Sequence, residues 1–195
     1  TTLFNGMIHP LIPYSIRGAI WYQGESNVGR ASQYERLFPT LIRCWRTHWA
    51  LGDFPFYFVQ IAPYDYGPNA RSQRLREAQL RTMLRVPHTG MVVTTDVGDD
   101  HNIHPARKRE VGERLALWAL ANDYGFQDLV YSGPIYERME REGTRLRLYF
   151  RYADGGLVLR PADGGEFVIA GPDRVFHPAR VRVEGETLVV WSPRV

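Results

Sequence analysis

From Arg17 to about Phe126 the chain alternates short apolar runs with longer stretches of helical spacing, and this alternation restricts the fold more than any other feature. Arg17-Gly-Ala-Ile-Trp-Tyr22 reads as a strand, Phe54 to Ile61 as a second and Gly90-Met-Val-Val-Thr-Thr95 as a third. Between Ser32 and Trp49 the residues Tyr34, Leu37, Phe38, Leu41, Ile42, Trp45 and Trp49 recur at helical spacing. The segment from Asn69 to Val86 predicts a charged helix with Leu75, Ala78, Leu80 and Leu84 inward. Pro105 opens a last helix to about Tyr124, with Val111, Leu115, Trp118 and Leu120 available for its buried face. Strands joined through helices run parallel, because a parallel pair needs a crossover. Strands that are apolar throughout are covered on both faces. The expected class is therefore α/β, a parallel sheet with flanking helices over residues 1–128.

After that the pattern changes. Arg145-Leu-Arg-Leu-Tyr-Phe150, Glu166-Phe-Val-Ile169, Arg180-Val-Arg-Val183 and Thr187-Leu-Val-Val-Trp191 read as short strands. Turns such as Asp154-Gly-Gly156 and Asp163-Gly-Gly165 separate them. A boundary near Gln127–Gly133 and an all-β appendage over 129–195 follow.

Charge excludes more than it suggests. The formal net charge of +3 comes almost wholly from arginine, since Lys108 is the only lysine. The arginines are interleaved with Asp and Glu instead of forming the basic stripe that nucleic acid requires. No apolar run approaches the roughly 20 residues of a membrane-spanning helix. The single cysteine, Cys44, cannot form an internal disulfide and is expected to be a buried, inert thiol among aromatic residues.

In open α/β sheets ligands bind beyond the carboxyl ends of the strands. That rule selects Gln23-Gly-Glu-Ser-Asn27, Gln60 to Tyr64, and Asp96-Val-Gly-Asp-Asp-His-Asn-Ile-His104. His104 precedes Pro105, a favourable first helical residue, so the sequence places it at a helix N-cap, where the dipole favours a neutral imidazole fit to act as a base. His101, His104, Asp96, Asp99 and Asp100 lie within nine residues, yet no cysteine or third histidine is nearby to complete a zinc site, and no metal is expected. Ser26 is the one serine on this edge, and Gly24-Glu-Ser26 half matches a nucleophile elbow but lacks its second glycine.

Two strings resemble a known family. Gly18-Ala-Ile-Trp-Tyr-Gln-Gly-Glu-Ser-Asn27 and Ile103-His-Pro-Ala-Arg-Lys108, followed by Val111-Gly-Glu-Arg-Leu115, resemble the sialate O-acetylesterases. These are SGNH-type carbohydrate esterases whose relatives include acetylxylan esterases. The likeness extends to Leu3-Phe-Asn-Gly-Met7, Ser132-Gly-Pro134 and Phe167-Val-Ile-Ala-Gly171. The resemblance implies a serine esterase acting on O-acetylated sugars or glycans without a cofactor, on an SGNH-like (flavodoxin-like) sheet. It assigns the catalytic base to His104 and the pocket and oxyanion loop to Gln23, Gly24, Glu25 and Asn27. Ser26 becomes a loop residue, because the family's nucleophile lies in an upstream Gly-Gln-Ser-Asn-like segment that this sequence does not contain. Where many SGNH enzymes carry Asp three residues before the histidine, this chain has His101. The acid partner is then Asp96, Asp99, Asp100, Glu25 or a backbone carbonyl.

The chain opens Thr1-Thr2 without an initiator methionine, and three parallel strands leave a sheet edge unpaired. We therefore expect one piece of a longer polypeptide, completed by a missing N-terminal segment or a partner chain of the same enzyme. Tyr22, Tyr64 and Tyr66 are candidates to line a sugar groove. Two alternatives stay open: a hydrolase using Ser26, and a non-catalytic carbohydrate-binding module built on Tyr149, Tyr152 and Trp191.

Overall fold

A computed structural model describes residues 1–68, 70–159 and 167–195. The Asp163-Gly-Gly165 turn, Glu166 and Asn69 lie outside the described residues. The chain divides into two compact units, Thr1–Tyr131 and Ser132–Val195.

In the first unit three strands, β1 (Ala19–Tyr22), β2 (Phe56–Val59) and β3 (Thr89–Val92), form a parallel sheet in the order β1-β2-β3. The register runs Ala19↔Phe56 to Tyr22↔Val59 and Phe56↔Thr89 to Val59↔Val92. Between them lie α1 (Ala31–Trp49) and α2 (Ser72–Arg85), and α3 (Lys108–Asp123) follows β3. The central strand β2 is buried at every position, as its unbroken apolar sequence requires. Successive side chains point to opposite faces. Phe56 and Phe58 meet Phe38 of α1 with ring centroids 6.1 and 4.8 Å apart. Tyr57 meets Trp118 of α3 at 6.0 Å, and its hydroxyl donates to Asp123 Oδ2 (2.7 Å). Helices therefore cover both faces of the sheet. On the edge strand β1, Ile20 is 71% exposed.

The inward face of α2 differs from the expected one. Leu75, Ala78, Gln79 and Thr82 are buried, Leu80 is half-buried and Leu84 is exposed. The true stripe steps by three and four residues through two polar side chains, which hides it from an apolar count. In α3 the residues Val111, Leu115 and Trp118 are buried and Leu120 is half-buried. Cys44 is half-buried and not enclosed, its thiol 3.5 Å from His48 Nδ1.

The second unit holds a four-stranded antiparallel sheet, in the order β4 (Ile135–Glu142), β5 (Arg145–Arg151), β9 (Thr187–Trp191), β8 (Arg180–Glu184). A two-stranded pair, β6 (Val168–Ala170) and β7 (Phe176–Pro178), accompanies it. Two of these strands carry no sequence signal. β4 buries only Ile135 and is otherwise a charged, exposed hairpin arm, while β7 is three residues long. Leu188, Val189 and Val190 of β9 and Ile169 of β6 are buried. Among the described residues no helix is long and apolar enough to cross a membrane.

Candidate active site

All three strands end on the same edge of the sheet, and their carboxyl ends lead into segments 23–30, 60–71 and 93–107. The first turns at once. Gly24 has φ +153°, and a Cβ there would lie 2.9 Å from Ile61 Cγ2 and 3.3 Å from Gln79 Nε2, so only glycine fits. Beyond it the expected loop is a 3₁₀ turn over Glu25–Arg30, closed by the Asn27 amide on the Gly24 carbonyl (2.7 Å). The Gln23 side chain is fixed at both ends. Its Nε2 donates to Asn27 Oδ1 (2.8 Å), and the Tyr34 hydroxyl stands 3.2 Å from the Gln23 carbonyl and 3.3 Å from its Oε1.

Burial pushes the Tyr34 phenol up from 10.0 to about 12. A phenol harder to ionise in the folded state than in the unfolded chain makes stability fall as pH rises from about 10 to about 12. The loss attributable to Tyr34 is about 3 kcal/mol. Urea melts at stepped alkaline pH should show it, and Tyr34→Phe should flatten that slope.

The second and third segments are joined to each other. The Asp65 amide donates to the Asp100 carbonyl (3.0 Å), and the Thr94 hydroxyl donates to the Gln60 carbonyl (2.9 Å). Gly98 abuts Pro63 so closely that a Cβ would fall 2.3 Å from Pro63 Cδ. Arg114 of α3 grips both oxygens of Asp96 (2.8 and 2.6 Å) and the Val93 carbonyl (2.7 Å). These bonds hold the Asp96 carboxyl below the usual carboxylate range. Asp96 is thus committed to Arg114. Asp99 Oδ1 accepts the His101 amide (2.9 Å), whereas the Asp100 carboxylate has no bonded partner among the described residues.

His104 is not a helix N-cap. The helix begins at Lys108 with Arg107 as its cap, three residues later than Pro105 suggested. Instead the His104 amide donates to Asn102 Oδ1 (2.9 Å), a local side-chain turn that outcompetes an earlier helical start, and Pro105 is buried. The helix dipole therefore gives no account of this imidazole. Its ring is exposed and makes no hydrogen bond among the described residues.

Lys108 ties the start of α3 to the end of β1. Its Nζ lies 4.5 Å above the Tyr22 ring, a cation–π contact between the segment that follows His104 and the residue that precedes Gln23. The Tyr22 hydroxyl is buried and raised in pKa, first by burial and then by the Glu25 charge. Thr94 lies close enough to temper that rise, but donates to the Gln60 carbonyl. Tyr66 is pushed up to about 12 by the same two causes, and its buried hydroxyl also makes no hydrogen bond among the described residues. Tyr64 packs edge-on against Tyr66 at 4.9 Å. Tyr66 also borders a cleft of about 600 Å³ lined by Ser32, Glu35, Arg71 and Arg74.

Ser26 is exposed, and its hydroxyl bonds to no histidine among the described residues. No group of three His, Cys, Asp or Glu side chains among the described residues is placed to hold a metal ion. Sequence reasoning missed Tyr34, Gln79, Lys108 and Arg114. Each acts on the site from a helix, outside the loops that the polar composition singled out.

Residues 4–121 match the family model described as carbohydrate esterase, sialic acid-specific acetylesterase. The chain belongs to this family. It is 36% identical over 189 residues to sialate O-acetylesterase of Mus musculus, covering 87% of this chain and 35% of that protein. It is 34% identical over 159 residues to sialate O-acetylesterase of Homo sapiens, covering 72% and 30% respectively. A crystal structure of a carbohydrate acetylesterase from Xanthomonas citri superposes with a TM-score of 0.88 at 40% identity, over 99% of this chain and 46% of that one. This esterase-family chain thus spans about a third of the curated relatives it matches and just under half of the solved structure.

Proposed function

We propose that this chain forms the histidine-bearing side of the active site of a carbohydrate O-acetylesterase, with O-acetylated sialic acid as the favoured substrate class. A serine hydroxyl supplied by another segment or chain of the same enzyme attacks the acetyl carbonyl, and the His104 imidazole takes its proton. The tetrahedral oxyanion is met by the Gln23–Asn27 loop. There the Asn27 amide is already spent on the Gly24 carbonyl, which leaves the Gln23 side chain and the preceding amides. Collapse expels the sugar hydroxylate, protonated by His104, and water then releases acetate by the same steps in reverse order. With Asp96 held by Arg114, Asp99 and Asp100 are the nearer candidates to orient His104, with Glu25 the carboxylate on the opposite loop.

The observation that carries this reading is the Lys108–Tyr22 contact, which joins the His104-bearing segment to the corner where the Gln23 loop begins. Exposed Ile20 on the edge strand β1 supports completion of the sheet by a further segment.

The carbohydrate-binding alternative has less support. Arg138 lies 3.6 Å from the Tyr149 ring, Arg145 5.3 Å from Trp191 and Arg151 5.8 Å from Tyr152, so guanidinium groups cover the faces on which a sugar would stack. The test is acetate release from O-acetylated sialic acid, acetylated xylan and 4-nitrophenyl acetate by the protein that carries this chain. Hydrolysis led by the sialate and retained in Ser26→Ala is the expected result. Loss of all three activities in a folded Ser26→Ala protein would move the nucleophile to Ser26.

A further inference from the structure

We propose that Gln79 is the positioning residue of the oxyanion loop, the side chain that fixes where the Gln23 corner stands relative to the reacting acetyl group. The proposal rests on reading residues 23–27 as the substrate-facing loop. Gln79 lies on α2 and is fully buried. Its Oε1 accepts the Ile61 amide (3.0 Å), and its Nε2 donates to the Val59 carbonyl (3.2 Å) and the Gln23 carbonyl (3.3 Å). All three partners are backbone groups at the carboxyl ends of two adjacent strands.

The position explains the choice of residue. The β1–β2 ladder ends at the Tyr22↔Val59 pair. Past that rung the chain at Gly24 leaves through a positive φ while Ile61 continues into the second segment, so the two backbones no longer satisfy each other. One carboxamide, with an acceptor and a two-hydrogen donor, bridges them where the ladder stops. Asparagine is one methylene too short. A leucine or methionine leaves the Ile61 amide and the Val59 carbonyl unmet and strips one of the two donors from the Gln23 carbonyl. Tyr34 holds the same Gln23 carbonyl from α1, so the corner is clamped between two helices. With its backbone pinned, the Gln23 carboxamide is bonded to Tyr34 and to Asn27, and one of its N–H groups remains for a developing oxyanion.

Any loss of a buried hydrogen-bonded glutamine costs stability, so the deciding variant is Gln79→Glu. A carboxyl buried here has its pKa raised. Protonated, it retains an acceptor for Ile61 and one donor. Ionised, it sets a charge against two carbonyl oxygens and the clamp opens. In the intact enzyme we expect Gln79→Met to lower kcat by roughly 10- to 100-fold at all pH values, with KM within about twofold of wild type. Gln79→Glu should approach wild-type kcat at low pH and descend to the methionine level as pH rises, a limb absent from wild type. A purely structural residue would lower the melting temperature and the active fraction but leave kcat per folded molecule flat in both variants, and that result would overturn the proposal. Should Gln79→Met fail to fold, the presence or absence of the Gln79→Glu limb decides alone. Wild-type enzyme without acetyl-sugar hydrolysis overturns the functional reading and this role with it; active wild type without the limb overturns only the role of Gln79.

Discussion

Alanine at His104 is expected to lower kcat/KM for acetate release by about 10³–10⁴-fold while leaving thermal unfolding unchanged. The two halves of that expectation have separate grounds. The imidazole is exposed and makes no hydrogen bond among the described residues, and the one bond that His104 makes, to Asn102 Oδ1, comes from its backbone amide and survives the substitution. Nothing in the fold depends on the ring. The proposed chemistry does, because a serine hydroxyl is a weak nucleophile unless a base removes its proton during attack. The predicted loss corresponds to about 4–5 kcal/mol of transition-state stabilisation. It should appear in kcat, with KM little altered, because a proton acceptor contributes mainly as the transition state forms. Less than a tenfold fall in kcat/KM would remove His104 from the mechanism. Parallel Asp99→Asn and Asp100→Asn proteins, assayed across pH, then identify the carboxylate that orients the imidazole.

The strands, the helix order and the edge carrying the site are legible in the sequence because they depend on apolar periodicity and on where polar loops interrupt it. Phe56 to Val59 needs no structure to be read as a covered strand. What the sequence conceals is where polar groups do work that apolar residues usually do. Gln79 and Thr82 occupy the inward stripe of α2, so the leucine spacing alone points the helix toward Leu84, which is exposed. The ordinary preference for proline at the first turn puts His104 one residue before a helix start. Two side-chain turns, Asp99 to the His101 amide and Asn102 to the His104 amide, delay that start to Lys108. β4 escaped notice because Glu137–Glu142 is almost entirely charged, and pairing with β5 is what makes it a strand. Family resemblance points to His104 and the Gln23 loop, but it cannot show that Arg114 has taken Asp96.

A buried arginine at the opposite end of the sheet yields the largest stability effect. Arg46, in the last turn of α1, is 6% exposed and spends its guanidinium on main-chain carbonyls. Nε and Nη2 donate to Phe54 O (3.1 and 2.8 Å), and Nη2 also reaches Pro87 O (3.0 Å) and His88 O (3.1 Å). These carbonyls belong to the segments that lead into β2 and β3, so one side chain sets the spacing of both strand starts against α1. Asp53 lies 3.7 Å from Nη1 but is itself 61% exposed, so the carbonyl bonds are the larger part of the interaction. His88 O keeps a second donor, the Phe56 amide (3.0 Å), whereas Phe54 O and Pro87 O depend on Arg46. Arg46→Ala strips the donors from the buried Phe54 carbonyl and the part-buried Pro87 carbonyl and opens a cavity, a loss of about 4 kcal/mol. The midpoint of thermal unfolding should fall by about 15 °C. Arg46→Lys should recover less than half, since one ammonium cannot replace a planar fork that reaches three carbonyls at once. Esterase turnover per folded molecule of the enzyme that carries this chain should be unchanged, because the proposed reacting groups sit at the other ends of the same strands. A fall of less than about 1 kcal/mol, the effect of an ordinary surface substitution, would mean that the strand starts are held by their apolar packing alone.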